Sequence, residues 1–420
     1  MSMADRRTYR TFGLLDIGTS KTVAAVMVAE HGPSLSEPSL RLAGLGLQRS
    51  RGVKAGVLTD LDEAESVVRS VLAQAERAAG VSVGNYTVSV AAGRLASAHC
   101  TARIDVETGR VTQDDLQRLM AAGESYAERD GRTLLHLNRL GYELDGVGGV
   151  RDPIGFSARR LAAGLHAVTA DEGPLRNLLV LIDRCYAECD GLVASPYASA
   201  LAVTTEEERQ FGVTCIDFGA GTTTVALFAD GVFAGVEAIP VGGQHLTYDI
   251  ARALQTPLAE AERIKTLYGT LLNAQSDEHE SISYPVAGEE DEGSFETTKA
   301  RLTAIIRPRV QQLLGLVRER LALNAAARFA GDKIVLTGGA SQLLGLSEFV
   351  ANEFGRHVRV GRPQDLVGLN ASLGGPQLAT LSGLAILSAR GSNELSTPSQ
   401  RKGLKQGYLG RVGTWLKHAF

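Results

Sequence analysis

Leu14-Leu15-Asp16-Ile17-Gly18-Thr19-Ser20-Lys21-Thr22, running into Val23-Ala24-Ala25-Val26, is written a second time in the other half of the chain. The second copy reads Cys215-Ile216-Asp217-Phe218-Gly219-Ala220-Gly221-Thr222-Thr223 and runs into Thr224-Val225-Ala226-Leu227. Each copy is an apolar run, an aspartate, a glycine, a small hydroxyl-rich turn and a second apolar run. That is the pattern of a strand, a tight turn and a returning strand. Either copy alone is explained equally well as a plain hairpin. Two of them facing each other form a grip for a phosphate chain.

The residue types fit that chemistry. Gly18 and Gly219 let the turn backbone approach a ligand with no side chain in the way. Successive turn N–H groups then converge on an anion, and Ala220 and Gly221 keep the second turn free of bulk. Thr19, Ser20, Thr22, Thr222 and Thr223 add hydroxyl donors, and Lys21 adds a positive charge. Asp16 and Asp217 close their strands and aim carboxylates at one centre. Two carboxylates beside a polyphosphate call for a cation, and Mg²⁺ is commonly held in this way through water.

Composition narrows the setting. A chain of 420 residues with 44% apolar and 21% charged content describes an ordinary globular protein of two to four domains or subdomains. A net charge of −4 gives no reason to expect nucleic-acid binding. The four cysteines (Cys100, Cys185, Cys189, Cys215) lack disulfide-framework spacing. Cys185 and Cys189 are expected to share a helix face without histidines to complete a metal site, so reduced thiols and a cytoplasmic setting are expected. Met1–Arg10 is polar and basic, unlike a secretory signal. No apolar run is long enough to span a bilayer.

Along the chain, Asp60–Gly80 reads as a helix with Leu61, Ala64, Val67, Val68, Val71, Leu72 and Ala75 on one face. Tyr86–Val90 alternates like a strand, and the glycine-rich stretch from about 91 to 168, with a helix near Thr112–Arg129, reads as an insertion. Pro174 is expected to open a helix that Gly191 ends, and Ser195-Pro196 to open another. In the second half, Asp230-Gly231 marks a hairpin turn and Gly242-Gly243 precedes a helix. The acidic stretch Asp277–Glu296 reads as a solvated loop. Pro308 predicts a kink or break in the helical region Thr297–Phe329. Lys333–Leu336 reads as a strand leading to Thr337-Gly338-Gly339-Ala340-Ser341, and Gly391–Gln400 as a flexible linker.

Two such hairpins, the strand ending in Thr-Gly-Gly-Ala and the half-repeated plan resemble the actin-like ATPase superfamily, and within it the FtsA family of bacterial cell-division proteins. The resemblance covers essentially the whole chain. It implies an α/β, actin-like (duplicated ribonuclease H-like) two-domain fold with an FtsA-type inserted subdomain and a C-terminal amphipathic helix. The implied divisions are 1–90 for the first part of subdomain 1A, 91–168 for inserted subdomain 1C, and 169–212 with 366–390 for the rest of 1A. Subdomain 2A is expected at 213–256 and 326–365, 2B at 257–325, a linker at 391–403 and the helix at 404–420. The resemblance implies ATP with Mg²⁺ as ligands, and Gly338, Gly339 and Ala340 pack against the adenosine. By the same resemblance Gly243 follows the second hairpin, and Glu262 and Lys265 are expected to contact the ribose or base side. Implied partners are the C-terminal peptide of the tubulin-like protein FtsZ at about 257–325, with Arg309 as a candidate contact, late division proteins at the insertion, and further copies of the chain in a filament.

One departure bears on catalysis. Many relatives place a Glu or Gln between the two halves, where it orients the attacking water. Here Asp190-Gly191-Leu192-Val193-Ala194-Ser195-Pro196 offers only Asp190 and Ser195. Strong ATP binding with weak hydrolysis is therefore expected, with Asp16 and Asp217 positioning the Mg-nucleotide.

The tail carries a second signal. Leu404, Tyr408, Leu409, Val412, Trp415, Leu416 and Phe420 fall on about half a helical wheel, with Arg411 and Lys417 on the other half and Lys405 near the boundary. As a helix the segment would be about 25 Å long, too short and too charged to span a bilayer but suited to lying among anionic headgroups. Gly407, Gly410 and Gly413 predict that it folds only on lipid. The expected location is therefore cytoplasmic, peripheral on the inner face of the membrane at the division site. Alternatives are the related pilus-assembly adaptor and, from another class, a metabolite kinase, for which no substrate cleft or additional catalytic Asp is evident.

Overall fold

The computed structural model describes residues 8–31, 38–91, 95–127, 131–288, 294–363 and 374–391. The expected linker after Gly391, the helix at 404–420 and residues 366–373 lie outside the described residues.

The first copy of the repeat forms β1 (Thr8–Ile17) and β2 (Lys21–His31), antiparallel with Ile17 opposite Thr22. β3 (Ser39–Arg49) extends the sheet, followed by the short pair β4 (Val53–Lys54) and β5 (Val57–Leu58). Helix α1 (Leu61–Ala79) starts where the Asp60 carboxylate accepts the N–H groups of Asp62 and Glu63, and stops at Gly80 with φ +67°. Its face of Ala64, Val67, Val68, Val71, Leu72 and Ala75 is buried, as the periodicity predicts. It lies directly on β3 because Gly44 and Gly46 present no side chain; a Cβ on Gly46 would be 2.0 Å from Val71 O. β6 (Asn85–Val90) then runs parallel to β1.

The segment that breaks the style of the sequence is a separate layer. β7 (Ala96–Asp105), α2 (Gln113–Ala127), β8 (Arg132–Leu144), β9 (Val147–Val150) and β10 (Arg160–Asp171) form a sheet in the order β7-β10-β8-β9. Leu119 of α2 shares its core with Tyr142, Leu161 and Leu165. The chain returns through α3 (Glu172–Arg184), β11 (Glu188–Ala194), α4 (Ser195–Val203) and α5 (Glu206–Phe211).

Two expectations fail here. α3 begins at Glu172, not Pro174, and ends at Arg184, after which Tyr186 turns the chain at φ +57°. Gly191 sits inside β11, where the pairing with β6 slips between Cys189 and Gly191. Cys185 therefore caps a helix while Cys189 lies on a strand, and they share no helix face.

The second half repeats the first. β12 (Val213–Phe218), β13 (Thr223–Ala229) and β14 (Val232–Ile239) form an antiparallel meander, with Asp230 and Gly231 both at positive φ in the second turn. α6 (Gly243–Leu254), α7 (Leu258–Tyr268), the small hairpin β15 (Ser281–Tyr284) with β16 (Phe295–Thr298), and α8 (Lys299–Leu323) follow. Then come β17 (Lys333–Thr337), α9 (Leu346–Phe354), β18 (His357–Val360) and α10 (Ala379–Arg390). The sheets β3-β2-β1-β6-β11 and β14-β13-β12-β17-β18 share one order. In both, two antiparallel pairings give way to two parallel ones.

α8 runs unbroken through Pro308. An interior proline costs about 3 kcal/mol, but Pro308 faces solvent, which satisfies the carbonyl it strands. Buried Leu302, Ile306, Val310, Leu314 and Val317 hold the helix on both sides of it.

α4 and α10 pack together within the core of the first half. Gly383 makes this possible, since a Cβ there would fall 1.8 Å from Ala198 O. No helix among the described residues is long and apolar enough to cross a membrane.

Candidate nucleotide site

The two turns are built alike. Gly18 N–H donates to Lys21 O at 3.0 Å, closing the first. A Cβ on Gly18 would stand 2.9 Å from Lys21 O, and one on Gly219 would stand 2.7 Å from Thr222 O, so both turns require glycine at the same point. The tips meet: a Cβ on Gly221 would be 2.4 Å from Thr19 Oγ1. Thr19 Oγ1 in turn accepts from Gly56 N at 3.1 Å. Ser50 Oγ donates to Gly18 O at 2.7 Å and lies 2.8 Å from Thr22 Oγ1, bracing the first turn from β3's end. Thr223 Oγ1 donates to Val241 O at 2.8 Å and braces the second.

Asp16 and Asp217 sit at the ends of β1 and β12, each half-buried. Ser89 on β6 donates to Asp16 Oδ1 at 2.6 Å, and Ser199 on α4 hydrogen-bonds Asp217. Burial pushes the Asp217 carboxyl up to about 6; the Ser199 hydrogen bond opposes this and the charge of Asp16 reinforces it. Burial also raises Asp16, against its bond to Ser89 and the charge of Lys21. Burial brings Lys21 down to about 8, against the attraction of both carboxylates. Two acids and one base, all charged at a cost, form a centre short of positive charge. Those two carboxylates suit a divalent ion held with phosphate oxygens and water. No group of three or more His, Cys, Asp or Glu side chains that could hold a metal ion is gathered among the described residues.

Gly338 touches the same centre, and the start of α6 is bonded to its second turn. Gly338, at φ +84°, rests on Asp217, where a Cβ would be 2.2 Å from Oδ1. Its N–H donates to Pro376 O at 3.2 Å. Gly243 and Gln244, the first residues of α6, donate their N–H groups to Gly219 O at 2.9 Å and Ala220 O at 2.8 Å. Gly243 also faces Ala340, whose Cβ would be 2.7 Å from one built on it. Gly339 follows with Gln377 beside it. Lys265 Nζ reaches Gly243 O, Thr247 Oγ1 and Glu262 Oε2 at 3.1, 2.8 and 2.7 Å. Arg309 lies apart from this centre on α8, its guanidinium bidentate to Asp249 at 2.7 and 2.9 Å and bonded to Gln312.

Ser89, Ser199, Ser50 and Thr247 escaped the sequence reading. Ser89 had a signal, because it is the last residue but one of the strand beside β1; the others are brought in by tertiary packing alone. Asp190 is exposed on β11 and Ser195 is buried.

Comparison with known proteins accords with this geometry. Residues 214–383 match the family described as "Cell division protein FtsA", and residues 92–169 match "SHS2 domain inserted in FTSA". The chain is 38% identical to cell division protein FtsA of Agrobacterium fabrum, covering 97% of this chain and 94% of that one. It is 32% identical to the Neisseria meningitidis protein over 98% and 99% of the two chains, and 29% identical to that of Escherichia coli K12 over 97% of both. Among solved structures, the PilM-PilN type IV pilus biogenesis complex superposes with a TM-score of 0.63 at 18% identity, covering 90% of this chain and 98% of that one. MreB5 of Spiroplasma citri bound to ADP superposes with a TM-score of 0.52 at 16% identity, over 91% and 97%. These two likenesses establish the actin-like fold; the near-full-length relatives establish more, and the chain belongs to the FtsA family of cell-division proteins.

Proposed function

We propose that the chain binds ATP with Mg²⁺ and polymerises on the cytoplasmic membrane, where it tethers FtsZ filaments and recruits later division proteins. The observation that carries the nucleotide reading is the meeting of the two mirrored turns around Asp16, Lys21 and Asp217, with Gly338 on Asp217. Calorimetry on the full chain tests it: ATP binds at least tenfold more tightly with Mg²⁺ than with EDTA, and Asp217→Ala removes that difference. Equal affinity in both buffers overturns the cation assignment.

Hydrolysis is slow in this reading, because the segment between the halves carries no Glu or Gln and offers only Asp190, exposed on β11, and buried Ser195. Turnover above about one per second, in the ordinary enzyme range, overturns it. The ATP-bound state favours assembly, and assembly aligns many weak tails so that avidity replaces affinity.

The membrane part rests on the sequence of 404–420, with its apolar face, Arg411 and Lys417, and no acid after Glu394. Co-sedimentation with anionic liposomes compares the full chain with one ending at Gly391; equal pelleting removes the tether. In this reading the FtsZ peptide binds the region 257–325. Arg309 is already engaged by Asp249, so an acidic peptide recruits it only by competing with that pair. Unchanged peptide affinity in Arg309→Glu removes it from the contact set. The likeness to the PilM complex is one of fold, and nothing in the site favours a pilus role.

A further inference from the structure

His136 is the side chain at which the inserted layer meets the helix that carries Ser199. It lies on β8, 5% exposed, and its Nε2 accepts the N–H of Ala194 at 2.9 Å. A backbone N–H only donates, so Nε2 is the unprotonated nitrogen of this ring. Ala194 is the residue on which α4 begins, and its own side chain supplies no cap. The start of α4 is therefore held by a group from the inserted sheet. The same ring meets Tyr197 of α4 edge-on, with 5.1 Å between centroids.

α4 carries this contact to the nucleotide centre. Tyr197 stacks on Phe233 of β14 at 4.5 Å, Ala198 rests on Gly383, and Ser199 hydrogen-bonds Asp217. The Ser199 hydroxyl has a single proton and a second acceptor in reach, Pro196 O at 3.4 Å, so its direction depends on where the helix sits. At the far end Arg359 Nη2 donates to Val203 O at 2.7 Å. All nine residues of α4 are buried, and in a close-packed interior such a helix shifts as a unit. From Ala194 to Ser199 is about 7.5 Å along the axis, roughly one and a half turns. His99 gives a contrast: it joins the same layer to the second half, through Ala234 O at 2.7 Å, a bond to β14 rather than to α4.

We infer that His136 is a positioning residue: by fixing the start of α4 it sets the Ser199 hydroxyl at Asp217, and so couples the seating of the inserted layer to the grip on MgATP. This rests on the nucleotide reading above and adds to it a route between two distant surfaces. A ligand of the insertion that moves β8 changes nucleotide affinity, and by reciprocity the nucleotide changes the insertion.

Calorimetry on the full chain compares MgATP with ATP in EDTA. His136→Ala is expected to weaken MgATP about fivefold and ATP in EDTA less than about twofold, because Ser199 acts on a carboxylate assigned to the cation. His136→Gln, whose side-chain oxygen stands in for Nε2, is expected to restore most of the loss. His99→Ala is expected to lower the melting temperature while MgATP affinity stays within about twofold of wild type. Ser199→Ala is expected to reproduce the loss, and His136→Ala to add nothing in that background. The positioning role is overturned if His136→Ala binds MgATP as wild type does, if His136→Gln restores nothing, or if His99→Ala weakens binding equally. Additive losses from His136→Ala and Ser199→Ala also overturn it. Should His136→Ala not fold, hydrogen exchange of the wild-type chain decides. Residues 133–138 are expected to exchange more slowly with MgATP than with ATP in EDTA, and equal protection overturns the coupling. A wild-type chain that binds no MgATP overturns the nucleotide reading and the coupling with it; with wild-type binding intact, the other adverse results overturn the coupling alone.

Discussion

Thr19 and Gly221, one at the tip of each repeated turn, are packed so closely that a Cβ on Gly221 would lie 2.4 Å from Thr19 Oγ1 and 2.9 Å from Thr19 Cβ. The two halves of the molecule thus touch through the loops that are to hold the phosphates. Their separation is set by the absence of one methyl group.

Gly221→Ala is therefore expected to wedge the turns apart. Overpacking of this kind costs about 1–3 kcal/mol, and MgATP affinity is expected to fall by at least about tenfold. Thr19→Ala removes Oγ1 and Cγ2 but keeps Cβ, so the double variant is expected to recover part of both losses. Thermal melts and calorimetry on the four members of the cycle check this.

The charge pattern predicts how binding varies with acidity. Asp217 titrates near 6 in the free protein and Lys21 near 8. MgATP affinity is expected to plateau between those values, to fall below about 6 as Asp217 takes up a proton, and to fall above about 8 as Lys21 loses one. Both groups are harder to charge in the folded chain than in the unfolded one. Asp217 then detracts from stability above its unfolded value of 3.8. Asp217→Asn is expected to melt on the order of 2 °C higher without nucleotide while binding MgATP more weakly. A lower melting temperature would contradict it.

A second acid shows the opposite sign. Burial alone would raise Glu208, but Arg359 at 2.5 Å, Lys333 at 2.6 Å and the Thr205 N–H outweigh it and bring it down to about 2. Its contribution to stability is complete above the unfolded value of 4.5 and is lost as pH falls toward 2. Glu208→Gln is expected to cost about 1.5–3 kcal/mol at neutral pH. It should also flatten the loss of stability between pH 4.5 and 2. Urea titrations over that range provide the measurement.

The inserted layer is fastened to the second half by histidines. Phe233 O can only accept, so His166 Nδ1 carries the proton and donates to it at 2.9 Å, leaving Nε2 to accept from Ser97 Oγ at 2.7 Å. Beside it, His99 Nε2 donates to Ala234 O at 2.7 Å. Burial, helped by the neighbouring His99, lowers His166 to about 3, so the ring stays neutral. The unfolded chain takes up this proton near 6.5, and stability from the site declines as pH falls from there toward 3. His166→Ala is expected to cost about 1–3 kcal/mol by stranding the Phe233 carbonyl and to speed hydrogen exchange at residues 233–236.

Much of this arrangement was legible in the chain, for identifiable reasons. The repeat declared itself because hairpins around a tight turn are local, and their glycines answer to backbone contacts within a few residues. α1 was legible because one of its faces alone is buried. α3 and β11 were misjudged because Gly191, which looks like a helix stop, opens the run Gly191–Ala194 of edge strand β11, whose four residues are all buried, so no alternation marks it as a strand. Pro308 misled because a proline's cost depends on which side of the helix faces water. The bonds of Ser199 to Asp217 and of Lys265 to Gly243 and Thr247 were out of reach, since those partners lie on other elements.

The contact of Ala198 with Gly383 has a mechanical consequence. Both helices belong to the core of the first half, so backbone touching backbone locks α10 onto α4 with no side chain to give way. Any larger residue at 383 is expected to force the two helices apart and to shift Ser199, which α4 carries, away from the Asp217 carboxylate it hydrogen-bonds.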